Sequence, residues 1–386
     1  MNHRRITRLV LVLGIVAVCA AVLFALLARG ARTEPKSGPS DRASNGIGDR
    51  AVAPAPDIEV RWSNPVRGEP DGVTVSGTEV ATVEFDQVRL LDLATGAAKW
   101  RVELPGLARA RAVVTANRVI VATRDNVVIL DRASGRPVGG IPFPEAEHLV
   151  LAPADGRDVV AAANLDGEMI GVDVATGTGL WSHVYDGSVV DPPAADGGLV
   201  VANWDLGTDT EMRVLSATTG AVVWDLSLGA SSTPPAIGGS RVFVAAGDTD
   251  DEAVFVAFDA TTGAPLWYGT FPAPWDQAAA PVVAGDTVYL LDRVGTLTAV
   301  DVAGGQPRWQ TRTNTSIVYG RMVTNARTLI FQTFDAQVVA VDRATGKVVA
   351  GSREDAFPID VAATDDTLVV ALRRGVPSRI EARPAP

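Results

Sequence analysis

The stretch Ala257-Phe258-Asp259-Ala260-Thr261-Thr262-Gly263-Ala264-Pro265-Leu266-Trp267 reads as a strand end, a tight turn and a returning strand. Asp259 can accept hydrogen bonds from the turn amides, and Gly263 supplies the positive φ that such a hairpin needs. The turn recurs around Gly96, Gly135, Gly177, Gly220, Gly263, Gly305 and Gly346, at intervals of 39, 42, 43, 43, 42 and 41 residues. Four residues before the glycine stands Asp92, Asp131, Asp173, Asp259, Asp301 or Asp342, with Ser216 in the remaining copy. Four residues after it stands Trp100, Trp181, Trp224, Trp267 or Trp309, with Gly139 and Ala350 in the second and seventh copies. A period in the forties built from strand-like segments indicates propeller blades rather than a helical solenoid.

Residues 279–311 show the plan of one unit. Short strands are expected near residues 279–283, 287–291, 297–301 and 308–311, which is four antiparallel strands per blade. Seven turns leave a C-terminal remainder with strand candidates at residues 359–363, 367–372 and 379–383 but no fourth strand. The N-terminal segment 58–62 has a fourth strand without its first three, and Trp62 lies 38 residues before Trp100. Pairing the two ends closes the ring and leaves no exposed sheet edge at the termini. The expectation is therefore an all-β body of eight four-stranded blades over residues 57–386, with seven blades as the alternative. One tryptophan per blade suits the wedge between sheets, its indole N–H bonded to a carbonyl of the neighbouring blade. The repeated Asp, Gly and Trp are thus residues of the fold rather than of a site.

Ahead of the body, residues 1–8 form a short tail with Arg4, Arg5 and Arg8, and Leu9–Ala28 are twenty successive apolar or small residues. That length spans a bilayer as a helix, and it exceeds the apolar core of a cleaved signal peptide. It is read as an uncleaved signal-anchor in the cell membrane, single-pass, with the body outside the cytoplasm. Residues 29–56 are rich in Arg, Pro, Ser, Gly and Asp and form a disordered tether. The body carries 26 basic and 42 acidic residues, a net charge of −16, which disfavours nucleic acid. Cys19 is the sole cysteine, so the chain contains no internal disulfide.

The pattern Ala-x-Asp-x-x-Thr-Gly-x-x-x-Trp, as at Ala257–Trp267, resembles the tryptophan-docking repeat of the pyrroloquinoline-quinone (PQQ) propeller superfamily. That resemblance implies one of two branches. Quinoprotein dehydrogenases carry PQQ on the propeller axis with a Ca²⁺ and a catalytic aspartate. Cofactor-free members serve as envelope scaffolds, such as the outer-membrane assembly lipoprotein, or as extracellular sensor domains. The adjacent cysteine pair of the alcohol dehydrogenases is absent from this body, and no local motif maps the cation ligands. His148 and His183 stand in unrelated surroundings and read as ordinary residues. No metal-spaced cluster, Walker loop or nucleophile elbow is found either.

What differs between blades is the loop face opposite the Thr-Gly turns. Two hairpins look enlarged, at residues 203–211 and 247–252, and the connection 271–276 follows. Trp204 and Trp275 are the tryptophans outside the repeat register, and they stand beside Asp205, Asp209, Asp248, Asp250, Asp251, Glu252 and Asp276. Exposed aromatics among acidic groups suit a partner surface or a carbohydrate-like ligand, and an Asp-rich loop is also able to hold Ca²⁺. The expected function is a non-catalytic, monomeric scaffold binding an envelope protein or cell-wall material. The alternatives are a PQQ-dependent dehydrogenase and a ligand-sensing propeller.

Overall fold

The computed structural model describes residues 59–386 except 105, 107–109, 230–231, 250–251, 273–278, 293–294, 314, 316–320, 334 and 374–377. Of residues 247–249, 252–253 and 270–272 only the backbone is described. The apolar segment 9–28 and the tether 29–56 lie outside these residues. Among the described residues, no helix is long and apolar enough to cross a membrane.

The body is eight four-stranded antiparallel sheets, and within each sheet successive strands of the chain pair with one another except at one seam, where the N-terminal strand completes the last sheet. Blade 1 shows the pattern, with Pro70–Ser76, Glu79–Glu84, Gln87–Asp92 and Ala98–Glu103 running from its first strand to its fourth. The first strands of blades 2 to 8 are Val113–Val114, Ala146–Leu151, Ala194–Asp196, Ala236–Gly238, Val282–Ala284, Val323–Thr324 and Phe357–Ala363. Each lies against the first strand of the next blade, and blade 8 returns to blade 1, so these strands form the innermost circle.

In blade 8, Trp62–Pro65 pairs with Arg379–Pro384, with Trp62 opposite Ala382 and Pro65 opposite Arg379. The N-terminal strand thus supplies the fourth position of the last blade. It starts at Trp62 rather than ending there, because the indole must reach the turn of blade 1 while the residues after it pair with the C-terminal strand. At the seam, Arg383 is buried between Glu354 and Glu381, 2.6 Å from each.

Between blades the joint is one repeated contact. Trp62, Trp100, Trp181, Trp224, Trp267 and Trp309 donate their indole N–H to Leu93, Arg132, Ala217, Ala260, Val302 and Arg343 carbonyls at 2.8–2.9 Å. Each acceptor belongs to the turn of the next blade, one residue past the repeat Asp or its Ser216 equivalent. The ring then lies flat on the turn glycine. A Cβ at Gly135 would stand 2.7 Å from Trp100 Cδ2, and at Gly305 2.5 Å from Trp267 Cε3. Glycine is needed twice over, for its φ of 71–72° at these positions and for the ring above it. Asp259 holds the turn by accepting from the amides of Thr261 and Thr262 and from both hydroxyls at 2.8–3.1 Å. Those hydroxyl and amide donors keep its carboxyl down at about 2.

The two repeats that lack tryptophan differ in kind. Ala350 of blade 7 faces blade 8, whose third and fourth strands come from opposite ends of the chain and share no Thr-Gly turn. There is no glycine platform there for a ring to cover. Gly139 of blade 2 instead approaches the turn of blade 3 directly, since a Cβ on it would be 3.4 Å from the Gly177 Cα.

This joint gives a double-mutant test. Removing the buried ring by Trp100→Ala is expected to cost about 3–5 kcal/mol in urea unfolding. Gly135→Ala should cost several kcal/mol in the wild-type background but only about 1 kcal/mol, the left-handed backbone strain, once Trp100 is gone. Strictly additive losses would show that ring and glycine do not share one contact.

Candidate functional site: the axial ring and the loop face

Strand register makes the blades comparable position by position. In each blade the second strand opens on a residue paired with the end of the third: Glu79 with Asp92, Arg118 with Asp131, Val159 with Asp173, and so on around the ring. Four residues before its hairpin partner, each first strand or its lead-in places one residue at the same level. These are Gly72, Arg111, His148, Pro192, Pro234, Ala280, Arg321 and Asp360, in blades 1 to 8. The hairpins concerned lie on the Thr-Gly face, so the ring sits a few residues inside that end of the axis.

Its composition is not uniform. Asp360 is 1% exposed, and its Oδ2 accepts from the Val73 amide at 2.9 Å and from Arg111 Nε at 2.6 Å. Arg111 belongs to blade 2 and reaches blade 8 across blade 1. It passes over Gly72, where a Cβ would stand only 2.3 Å from the Arg111 Cγ. From the other side Arg321 of blade 7 places Nε 3.6 Å from Asp360 Oδ1 and lays Nη2 3.3 Å from the carbonyls of Val73 and Val361. The pair of arginines therefore ties blades 7, 8, 1 and 2 together beside the seam. A buried carboxylate of this kind requires such partners, because an unpaired charge there costs several kcal/mol.

His148 Nε2 lies 3.1 Å from the Val190 carbonyl and donates its proton there. Burial lowers its pKa, and the nearby Arg111 charge lowers it further, so the imidazole is neutral. Asn203 and Gln332 play one role at equivalent positions of blades 4 and 7. Their side-chain amides donate to the carbonyls of Thr233 and Ile359 in the following blade, both at 2.9 Å. Beside Pro192, Asp191 is half-buried, and this loss of water pushes its carboxyl up to about 6; the Asn203 amide opposes that rise and the Asp205 charge adds to it.

The loop face corrects one expectation. Trp204 is 0% exposed and belongs to the core rather than to a partner surface. The strand Leu199–Asp205 runs on through it and resumes at Thr210, so residues 206–209 alone form the loop. The indole donates to the Gly167 carbonyl of blade 3 at 3.2 Å and meets Tyr185 edge-on at 5.0 Å. The Arg213 guanidinium lies against both rings, 4.2 Å from the Tyr185 centroid and 4.8 Å from that of Trp204. His183 extends this stack from Trp181 to Tyr185.

Asp205 is exposed, with Oδ1 accepting from the Gly207 amide. Asp209 accepts from the Thr210 and Gly229 amides and from the Ser227 hydroxyl, which gives it a loop-bracing role. In blade 5, Arg241–Thr249 and Glu252–Asp259 also extend the sheet, with Thr249 opposite Glu252. The Asp248 and Glu252 side chains, and all of Asp250, Asp251, Trp275 and Asp276, lie outside the described residues.

A quinone with its cation does not fit the axial ring. The single carboxylate there, Asp360, is already committed to an amide and two guanidinium groups, and the ring carries a net positive charge. Among the described residues no three His, Cys, Asp or Glu side chains converge on a point able to hold a metal.

Burial of Asp191 predicts a pH dependence. The folded protein binds this proton more tightly than the unfolded chain, so stability falls as pH rises from about 4 through 6 and the full penalty stands above that. Asp191→Asn should therefore exceed the wild type by about 1–3 kcal/mol near pH 7.5 and match it near pH 4 in urea titrations. A constant difference across that range would contradict the assignment.

With the geometry in place, comparison with known proteins is informative. The family profile described as outer membrane protein assembly factor BamB matches residues 50–138, 126–227 and 208–371. No curated protein matches the chain. Among solved structures, BamB from Moraxella catarrhalis is 14% identical with a TM-score of 0.66, covering 85% of this chain and 100% of that one. The computationally designed Ika8 protein is 15% identical with a TM-score of 0.68, covering 83% and 98%. Quinohemoprotein alcohol dehydrogenase ADHIIG from Pseudomonas putida HK5 is 12% identical with a TM-score of 0.63, covering 85% and 78%. At such identities these structures speak for the fold alone. The family profile spans most of the chain, and the protein belongs to the BamB-type family of PQQ-like β-propellers.

Proposed function

We propose that the protein is a non-catalytic, protein-binding scaffold of the cell envelope, held to the membrane by residues 9–28 with the propeller on the extracytoplasmic side. The observation that carries this reading is the match of the assembly-factor family across residues 50–371. The distribution of chemistry supports it. The repeat residues are spent on joints between blades, and the buried charges of Arg383 and Asp360 on the seam and the axis. Variation is left on the hairpins and connections of the face opposite the Thr-Gly turns. On blade 4 the partner surface includes Asp205 and the exposed Leu206, on a loop braced by Asp209. The candidates at 248–252 and 275–276, whose side chains lie outside the described residues, are assigned to the same surface by their place in the sequence. An acidic surface of this kind favours a basic partner through electrostatic steering, and its association weakens with salt.

Photocrosslinkers placed at Leu206 in cells are expected to capture a discrete envelope partner, and the same probe at Leu266 on the outer strand of blade 5 is not. Asp205→Lys should reduce capture several-fold while the protein stays folded, its thermal midpoint moved only by the lost Gly207 amide bond and the reversed charge near Asp191. Equal labelling from both positions would remove the loop face from the interface. The dehydrogenase reading, suggested by the fold shared with quinohemoproteins, is separated by the same preparation. Purified protein supplied with PQQ and Ca²⁺ should give no dye reduction with alcohols or sugars, and turnover there would replace the scaffold reading. A reporter at the C-terminus tests the topology, and activity only as a cytoplasmic reporter would refute the exported body.

A further inference from the structure

We propose that the axial ring is a binding site for a small organic acid: one carboxylate on a compact apolar body. The ring divides into two arcs. Blades 7, 8, 1, 2 and 3 contribute Arg321, Asp360, Gly72, Arg111 and His148, and blades 4, 5 and 6 contribute Pro192, Pro234 and Ala280. In an eightfold circle Asp360 stands across from Pro192, Gly72 from Pro234 and Arg111 from Ala280.

The charged arc has two guanidinium groups for one carboxylate. This positive arc faces an opposite arc whose one neighbouring charge is the Asp191 carboxylate beside Pro192, inside a body of net charge −16, so an anion is drawn to the arginines and repelled elsewhere. Asp360 does not consume the arginines. Arg111 spends Nε on it, and among the described residues its two terminal amino groups have no hydrogen-bond partner. Arg321 turns its buried Nε toward Asp360, so Arg111 supplies the free fork and Arg321 the second positive charge; both side chains remain about a third exposed, at 34% and 36%. Planar guanidinium forks with unspent N–H groups match the two oxygens of a carboxylate. The two unspent amino groups of one guanidinium match a single carboxylate rather than a doubly charged phosphate.

The opposite arc selects the rest of the ligand. Pro192 is exposed and Pro234 and Ala280 are half-buried, so none is fully covered by protein, and none offers a side-chain donor or acceptor. An apolar body against them gains burial, whereas a second charge or a hydroxyl would lose its water without a partner. Neutral His148 beside Arg111 adds no competing cation. This site is on the axis and involves none of the loop residues of the scaffold reading, so either stands without the other.

The test is calorimetric titration of the full-length protein with 2-naphthoate, acetate, inorganic phosphate, 2-naphthylmethanol and 2-naphthylmethylamine. A short apolar peptide is added with a free or an amidated C-terminus. Naphthoate is expected to bind and raise the thermal midpoint, acetate and phosphate to bind at least tenfold more weakly, and the alcohol and amine not to bind. Binding of the free-acid peptide but not its amide would assign the carboxylate to a chain terminus; naphthoate without the peptide would assign it to a free small acid. Arg111→Gln should weaken naphthoate at least tenfold, but it also strips a partner from buried Asp360. Ala280→Asp is therefore the second variant: it leaves the ion pairs intact and should abolish binding by charging the apolar arc. The proposal is overturned if no acid binds, if the alcohol or amine binds as well as the acid, or if Ala280→Asp leaves the affinity unchanged.

Discussion

An indole ring lying on a glycine of the next blade, with its N–H bonded to the carbonyl three residues earlier, is the contact on which this molecule depends. A single blade cannot bury its apolar faces alone and depends on neighbours stacked against it. Stacking eight of them works because six of the eight joints are made the same way, each burying an aromatic ring of some 150–250 Å² without leaving its one polar atom unsatisfied. The joint also fixes geometry. The ring has no room over any residue but glycine, so the distance and tilt between neighbouring blades are set by van der Waals contact at one point. Repeated around a circle, a fixed tilt decides how many blades close it.

Closure brings together parts of the chain that no local pattern connects. The seam joins Trp62–Pro65 to Arg379–Pro384, and there the tryptophan joint fails on one side because no turn exists to receive it. Charge takes over: Arg383 is buried between Glu354 and Glu381, and on the axis Arg111 and Arg321 reach to Asp360 from either side of blade 8. These two clusters lie at the seam and next to it, where the tryptophan joint is missing on one side. Directional pairs between specific partners also reject a shifted closure, which identical apolar joints would tolerate.

The ring of blades was legible in the chain because it rests on spacing. Asp, Gly and Trp hold constant offsets within one turn, so the period survives variation elsewhere, and Trp62 falls close to the same interval ahead of the first turn. Trp204 was misread as a loop residue because the sequence distinguishes a long hairpin from a long strand only by register, and here the strand continued. The axial residues were not found for a related reason. Counted back from the turn glycine, Arg111 lies 24 residues away but His148 lies 29, because hairpins of different lengths intervene. Only the pairing of the second strand restores their equivalence.

What the sequence by itself determined is therefore the architecture: blade after blade of sheet, the tryptophan joint, the closing strand from the N-terminus and the acidity of the body. These are properties of local pattern and composition, which survive without knowledge of what faces what. The tertiary structure alone decided which side chains meet on the axis, that Asp360 is shared by arginines from blades 2 and 7, and that Pro192, Pro234 and Ala280 face them across the circle. The physical reason is that a closed ring places residues hundreds of positions apart at one level, and their chemistry belongs to the circle rather than to any stretch of chain.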